Sequence, residues 1–158
     1  MTDSKDDEQA LALQVNAQYV KDLSFEVPGA PGIYLELNQQ GGPELSVRVD
    51  LAAQPVDENG HFEVVLQLVV EAKLRDKIVF LADLSYAGLF TLNLPEEHIQ
   101  PVLMIECPRL LFPFARAIIA DMTRDGGFPP VLLQPIDFMA LYRSRVGELA
   151  QEEPKGNA

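Results

Sequence analysis

From His61 to Leu74 every even position, Phe62, Val64, Leu66, Leu68, Val70, Ala72 and Leu74, is apolar, while the odd positions mix Glu63, Gln67, Glu71 and Lys73 with valines. A period of two sustained over that length fits a strand with one face on a core and is incompatible with an amphipathic helix. After Arg75-Asp76 the alternation resumes, with Ile78, Phe80, Ala82, Leu84 and Tyr86 opposing Val79, Leu81, Asp83 and Ser85. The short link predicts a tight antiparallel hairpin.

Two more strands precede this hairpin. From Gln14 the residues Val15, Ala17, Tyr19, Lys21, Leu23, Phe25 and Val27 fall on one face, with Gln14, Asn16, Gln18, Val20, Asp22, Ser24 and Glu26 opposite. A second alternating run covers about 44 to 53, with Leu45, Val47, Val49 and Leu51 on one side, and Asp57-Glu58-Asn59-Gly60 follows as turn chemistry. Between these runs, residues 28 to 42 carry prolines early and glycines at both ends, and read as a long crossing loop around Ile33, Tyr34, Leu35 and Leu37.

The pattern changes after Asn93. Pro95-Glu96-Glu97 opens a helix, and Leu111, Phe114, Ala115, Ile118 and Met122 recur at helical spacing until Gly126-Gly127 stops them. Pro113 lies inside that run, so the reading favours two pieces, a short helix over about 96 to 106 and a long one begun or kinked at the proline. A proline-rich link then leads to Asp137, which can cap a last helix bearing Phe138, Leu141 and Tyr142. Four antiparallel strands followed by helices packed on one face make the expected class α+β. Residues 1 to 10 and 150 to 158 are polar and aperiodic and read as flexible tails, leaving a single domain over 11 to 149.

Chemistry is sparse. The 158 residues contain 2 histidines, His61 and His98, and 1 cysteine, Cys107, too few ligands for a protein-built metal site and none able to form an internal disulfide. Cys107 beside His98 reads as a small buried side chain rather than a nucleophile with its base. No phosphate-cradling loop or nucleophile elbow occurs, and no catalytic residue or cofactor is expected. The acidic pairs Asp6-Asp7, Glu96-Glu97 and Glu152-Glu153 read as solvated charge.

The balance of 24 Asp and Glu against 12 Lys and Arg gives a net charge of −12, which disfavours nucleic acid and favours basic partners. A polar N-terminus without an apolar run, and no long apolar stretch elsewhere, predict a cytoplasmic protein that does not insert into membranes. One sheet face should present Asp22, Glu26, Asp50, Glu63, Glu71 and Asp83 together with Val20, Val65, Val69, Val79 and Leu81, a mixture suited to a contact between copies, to docking of a basic partner, or to both.

Three segments carry a resemblance. The run from Tyr19 to Pro31 (YVKDLSFEVPGAP), that from Cys107 to Arg116 (CPRLLFPFAR) and that from Gly127 to Tyr142 (GFPPVLLQPIDFMALY) resemble, in order, the opening strand, helix signature and C-terminal region of the SecB family of export chaperones. The resemblance implies a homotetramer, a dimer of dimers with helices sandwiched between four-stranded sheets. It implies an ATP-independent holdase that binds unfolded secretory precursor proteins and delivers them to the SecA motor.

It further implies grooves drawing on Ile33, Tyr34, Leu35, Leu37, Phe138 and Tyr142. The acidic docking surface for the basic, zinc-bearing C-terminal tail of SecA would correspond to Asp22, Glu26, Leu81 and Asp83, any zinc belonging to the partner. The stretch Gln39-Gln40-Gly41-Gly42 is longer and less aromatic than the family's. A thioesterase of the hot-dog type also packs a long helix on an antiparallel sheet, but its helix interrupts the early strands. An adaptor recognising one fixed motif is the remaining alternative, and a panel of unfolded clients separates it from a holdase.

Overall fold

The structure, a computed structural model, describes residues 11–152. Strands β1 (Leu13–Glu26), β2 (Glu44–Pro55), β3 (His61–Leu74) and β4 (Lys77–Leu92) form one antiparallel sheet in the order β1-β4-β3-β2. The even positions of β3 from Val64 to Leu74 are all buried, as are those of β4 from Phe80 to Leu92. Each large apolar side chain so enclosed contributes about 1.5–3 kcal/mol. The hairpin between them turns on Arg75-Asp76, with Arg75 in the left-handed region at φ 56°. At the β2–β3 turn Gly60 has φ 83°, and a Cβ there would stand 2.9 Å from the Leu92 carbonyl oxygen.

β1 departs from simple alternation. Its pairing with β4 shifts between Val15 and Ala17 and again between Val20 and Asp22, so Asn16 and Lys21 are bulged residues. Each extra residue flips the remainder of the strand to the other face. Val15, Gln18, Val20, Leu23 and Phe25 therefore share the face of Phe90, Gly88, Tyr86, Leu84 and Ala82, whereas Ala17 and Tyr19 turn to the opposite side. Val20, expected beside the acids, instead pairs with Tyr86 on the helix side.

The expected crossing loop contains a helix, α1 (Gly32–Gln40). Ile33 and Leu37, one turn apart, pack on the core, and the Tyr34 hydroxyl donates to the Gly126 carbonyl at 2.6 Å while its ring stacks on Phe128 at 5.3 Å. Tertiary anchoring of this kind selects a helix where local composition suggests a loop.

After β4 come α2 (Glu96–Pro101), a single π-helical turn (Val102–Glu106) and α3 (Cys107–Asp125), in unbroken succession. The expected short piece over about 96 to 106 corresponds to α2 with the π-helical turn, but the long helix begins at Cys107 and runs through Pro113 instead of starting there. Pro113 lies on the exposed side of α3, where the carbonyl deprived of its partner can reach water. The buried stripe Cys107, Leu111, Ala115, Ile119 and Thr123 repeats every fourth residue and packs on β3 and β4. Gly127, at φ 88°, ends α3. Its N–H donates to the Arg124 carbonyl and that of Phe128 to the Thr123 carbonyl, both at 3.0 Å.

α4 (Phe138–Glu152) begins with the expected cap, the Ala140 N–H donating to Asp137 Oδ1 at 3.0 Å. It reaches Glu152, beyond the tail boundary expected at residue 150. The tail expected over 1 to 10, and residues 153 to 158 of the other, lie outside the described residues.

Candidate functional site

Among the described residues the helix-packed face of the sheet is covered by α3 on β3 and β4 and by the π-helical turn on β2, and the other face is bare. Register across the bare face runs Glu26, Leu81, Glu71, Ser46 in one row, Ser24, Asp83, Val69, Arg48 in the next, and Asp22, Ser85, Gln67, Asp50 in the third. Asp22, Glu26, Leu81 and Asp83 thus fall on two adjacent strands within three neighbouring rows. The bulge at Lys21 lies before Asp22, so it leaves the alternation of Asp22, Ser24 and Glu26 intact.

The carboxylates of this face differ in their partners. Asp50 accepts from Arg145 of α4 at 2.5 Å, Glu63 from Lys21 at 2.7 Å, and Glu71 lies 3.2 Å from Lys73. Glu63 also accepts from the Tyr19 hydroxyl and from Gln54 Nε2. The Lys21 ammonium and then the Tyr19 hydroxyl hold the Glu63 carboxyl below its usual range, while burial and that same hydrogen bond push the Tyr19 phenol up to about 12. Among the described residues Asp22, Glu26 and Asp83 have no cation within ion-pair distance. Asp83 instead accepts from the neutral amide of Gln67 at 3.1 Å.

A second surface lies on the helix side. A groove of about 460 Å³ is lined by Leu37, Asn38, Gly41, Gly42, Pro43, Leu45 and Phe80 on one side and by the segment from Phe128 to Leu132 on the other. Leu132 is 60% exposed and Leu45 51%, so large apolar area stays in contact with water. The segment 128 to 132 is fixed by Thr123, whose hydroxyl accepts from the Val131 N–H at 2.9 Å and donates to the Ile119 carbonyl at 3.0 Å.

The residues expected at such a groove are dispersed. Leu37 lines it. Tyr34 does not line it but stacks on Phe128, which does. Ile33 and Phe138, 3% and 1% exposed, are core, with Phe138 edge-on to Phe112. Leu35 is 70% exposed, and Tyr142 packs against the core from α4. The wall from Phe128 to Leu132 was not expected, although Phe128-Pro129-Pro130 was its signal in the sequence. Proline disfavours regular structure and leaves apolar side chains without strand or helix neighbours to cover them.

Cys107 is buried, and burial followed by the Glu106 charge pushes its thiol up to about 12, so little thiolate forms at neutral pH. Among the described residues no group of three or more His, Cys, Asp or Glu is placed to hold a metal ion. No helix among them is long and apolar enough to cross a membrane.

A family model described as SecB, preprotein translocase subunit SecB, matches residues 6–149. A protein-export protein SecB of Paramagnetospirillum magneticum is 57% identical over 97% of this chain and 98% of its own length. That of Rhodospirillum rubrum is 53% identical over 92% and 89%. Among solved structures, a SecB-like chaperone of Mycobacterium tuberculosis in complex with a peptide from an antitoxin superposes with a TM-score of 0.65 at 20% identity, over 79% of this chain and 91% of that one, a likeness of fold.

Proposed function

This chain belongs to the SecB family and is a protein-export chaperone; we propose that it holds unfolded precursors in the apolar groove and passes them to SecA through Asp22, Glu26, Leu81 and Asp83. The observation that carries the reading is the separation of two surfaces on one chain, an apolar groove on the helix side and uncompensated acids on the bare side. A client can occupy one while a basic partner docks on the other.

Holding unfolded chains needs exposed apolar area and no bond making. Each subsite removes modest area from water at roughly 25 cal/mol per Å², so affinity accumulates over several subsites without sequence recognition. No ATP, cofactor or catalytic residue enters the scheme. Binding the unfolded state competes with folding by mass action, which favours slowly folding precursors. The docking partner is the basic, zinc-bearing tail of SecA, and the protein works in the cytoplasm before translocation.

The acting species is a homotetramer, a dimer of dimers. Val15, Val20 and Leu23 on the helix side of edge strand β1, together with Leu110 and Phe114 of α3, are exposed apolar residues of the kind that a second copy would cover.

The test is suppression of aggregation of a slowly folding unfolded precursor, without ATP, by protein of verified tetramer mass. Suppression of several unrelated clients supports the holdase. An intact tetramer that captures none, or one folded ligand alone, overturns it in favour of an adaptor.

A further inference from the structure

The bare sheet face carries more carboxylates than the docking reading uses, and the surplus ones, Glu44 apart, are paired. Glu63 lies against Lys21, Glu71 against Lys73 and Asp50 against Arg145, each cation arriving from a different element. Lys21 comes from the bulge immediately before Asp22, and Glu71 is the β3 neighbour of Leu81. Asp83 is held by the amide of Gln67, which fixes the carboxylate without neutralising it. Among the described residues the remaining unpaired carboxylate of the face, Glu44, stands at the end of β2, on the far edge of the sheet from β1.

We propose that Lys21, Lys73 and Arg145 are specificity-determining residues that neutralise the flanking carboxylates Glu63, Glu71 and Asp50 of the bare face, confining a basic partner to Asp22, Glu26 and Asp83. The inference rests on the docking reading above and adds to it a reason for one register. A face with all its carboxylates bare would attract a cationic chain in several overlapping positions, because attraction between exposed charges is weakly directional and extends about 8 Å at physiological salt. Cations beside these flanking carboxylates turn a broad negative field into a bounded one. Exposed ion pairs add little stability, and this role asks only for charge cancellation.

The test uses hexalysine as a probe and methyl NMR of the full-length assembly. In the wild type, hexalysine shifts the Leu81 methyls and leaves Leu89, the cross-strand neighbour of Glu63, and Val65 unmoved. In Lys21→Ala, Leu89 and Val65 respond as well, whereas Lys21→Arg behaves as wild type. Lys73→Ala, which bares Glu71 beside Leu81, tightens hexalysine about two- to threefold. A response at Leu89 already in the wild type, or none in Lys21→Ala while Leu81 still responds, overturns the frame and leaves the docking reading standing. A silent Leu81 in the wild type, with SecA binding indifferent to Asp83→Asn, overturns the docking reading itself.

Discussion

Glu26 and Leu81 are direct cross-strand partners on the bare face of the sheet, an exposed carboxylate from β1 set beside a half-buried apolar side chain from β4. With Asp83 one row away and Asp22 two rows away, they form an acidic rim around an apolar point.

On the proposed docking of SecA at that rim, neutralising it is expected to weaken docking and spare client holding. Asp83→Asn and Glu26→Gln are each expected to reduce SecA affinity about three- to tenfold at low salt, and raising ionic strength to lower wild-type affinity in parallel. Calorimetric titration of SecA at several salt concentrations checks both. Affinity unchanged by salt contradicts an acidic docking surface.

The groove should respond to charge placed in it. Leu132 is exposed on the proline-rich wall, so Leu132→Asp removes apolar contact area at little cost to the core. Client affinity is expected to fall several-fold with unaltered SecA binding, as read by competition with a labelled unfolded precursor. Retained client affinity would place the binding surface elsewhere.

Thr123 is the one buried polar residue among those described, and it fastens the groove wall to α3. Thr123→Val keeps the volume and strands the Val131 N–H, for an expected loss of about 1–3 kcal/mol. Thermal unfolding gives the cost. Faster hydrogen exchange at Val131, ahead of global unfolding, separates loosening of the wall from general destabilisation.

The Lys21–Glu63 pair makes a prediction about pH. Because the folded carboxyl titrates below its usual range, its contribution is present above the unfolded value of about 4.5 and is lost as pH falls through the folded value. Lys21→Ala should therefore lower stability by about 0.5–1 kcal/mol at neutral pH, with the difference shrinking on acidification below about pH 4.5. Urea midpoints of both proteins across that range decide it. A constant difference would assign the effect to packing.

The β3–β4 hairpin was legible because each strand buries one face, and the expected start and end of β3, His61 and Leu74, are the observed ones. The stop at Gly126-Gly127 and the cap at Asp137 were legible too, being local devices complete within a few residues. The shared face of Asp22, Glu26, Leu81 and Asp83 followed from the same rule, whereas their selection as a docking set came from the family resemblance alone. Once β1 and β4 are neighbours, Asp22, Glu26, Leu81 and Asp83 must share a face, since all lie opposite the apolar set beyond the second bulge. The groove was less legible. Its walls draw on the stretch from Leu37 to Leu45, on Phe80 and on the segment 128 to 132, brought together from three separate parts of the chain, and neither Ile33 nor Phe138 lines it.

Alternation and capping act over a few residues, and they determined the sheet, its covered face, the helices that follow the last strand and the acidic character of the other side. Only the tertiary structure decided that β1 bulges at Asn16 and Lys21, that α1 forms where a loop was expected, that α3 passes through Pro113, and which acids stay unpaired. The physical reason is common to all four. Each depends on partners distant in the chain, the β4 register for the bulges, Gly126 and Phe128 for α1, solvent beside α3 for Pro113, and Lys21, Lys73 and Arg145 for the acids.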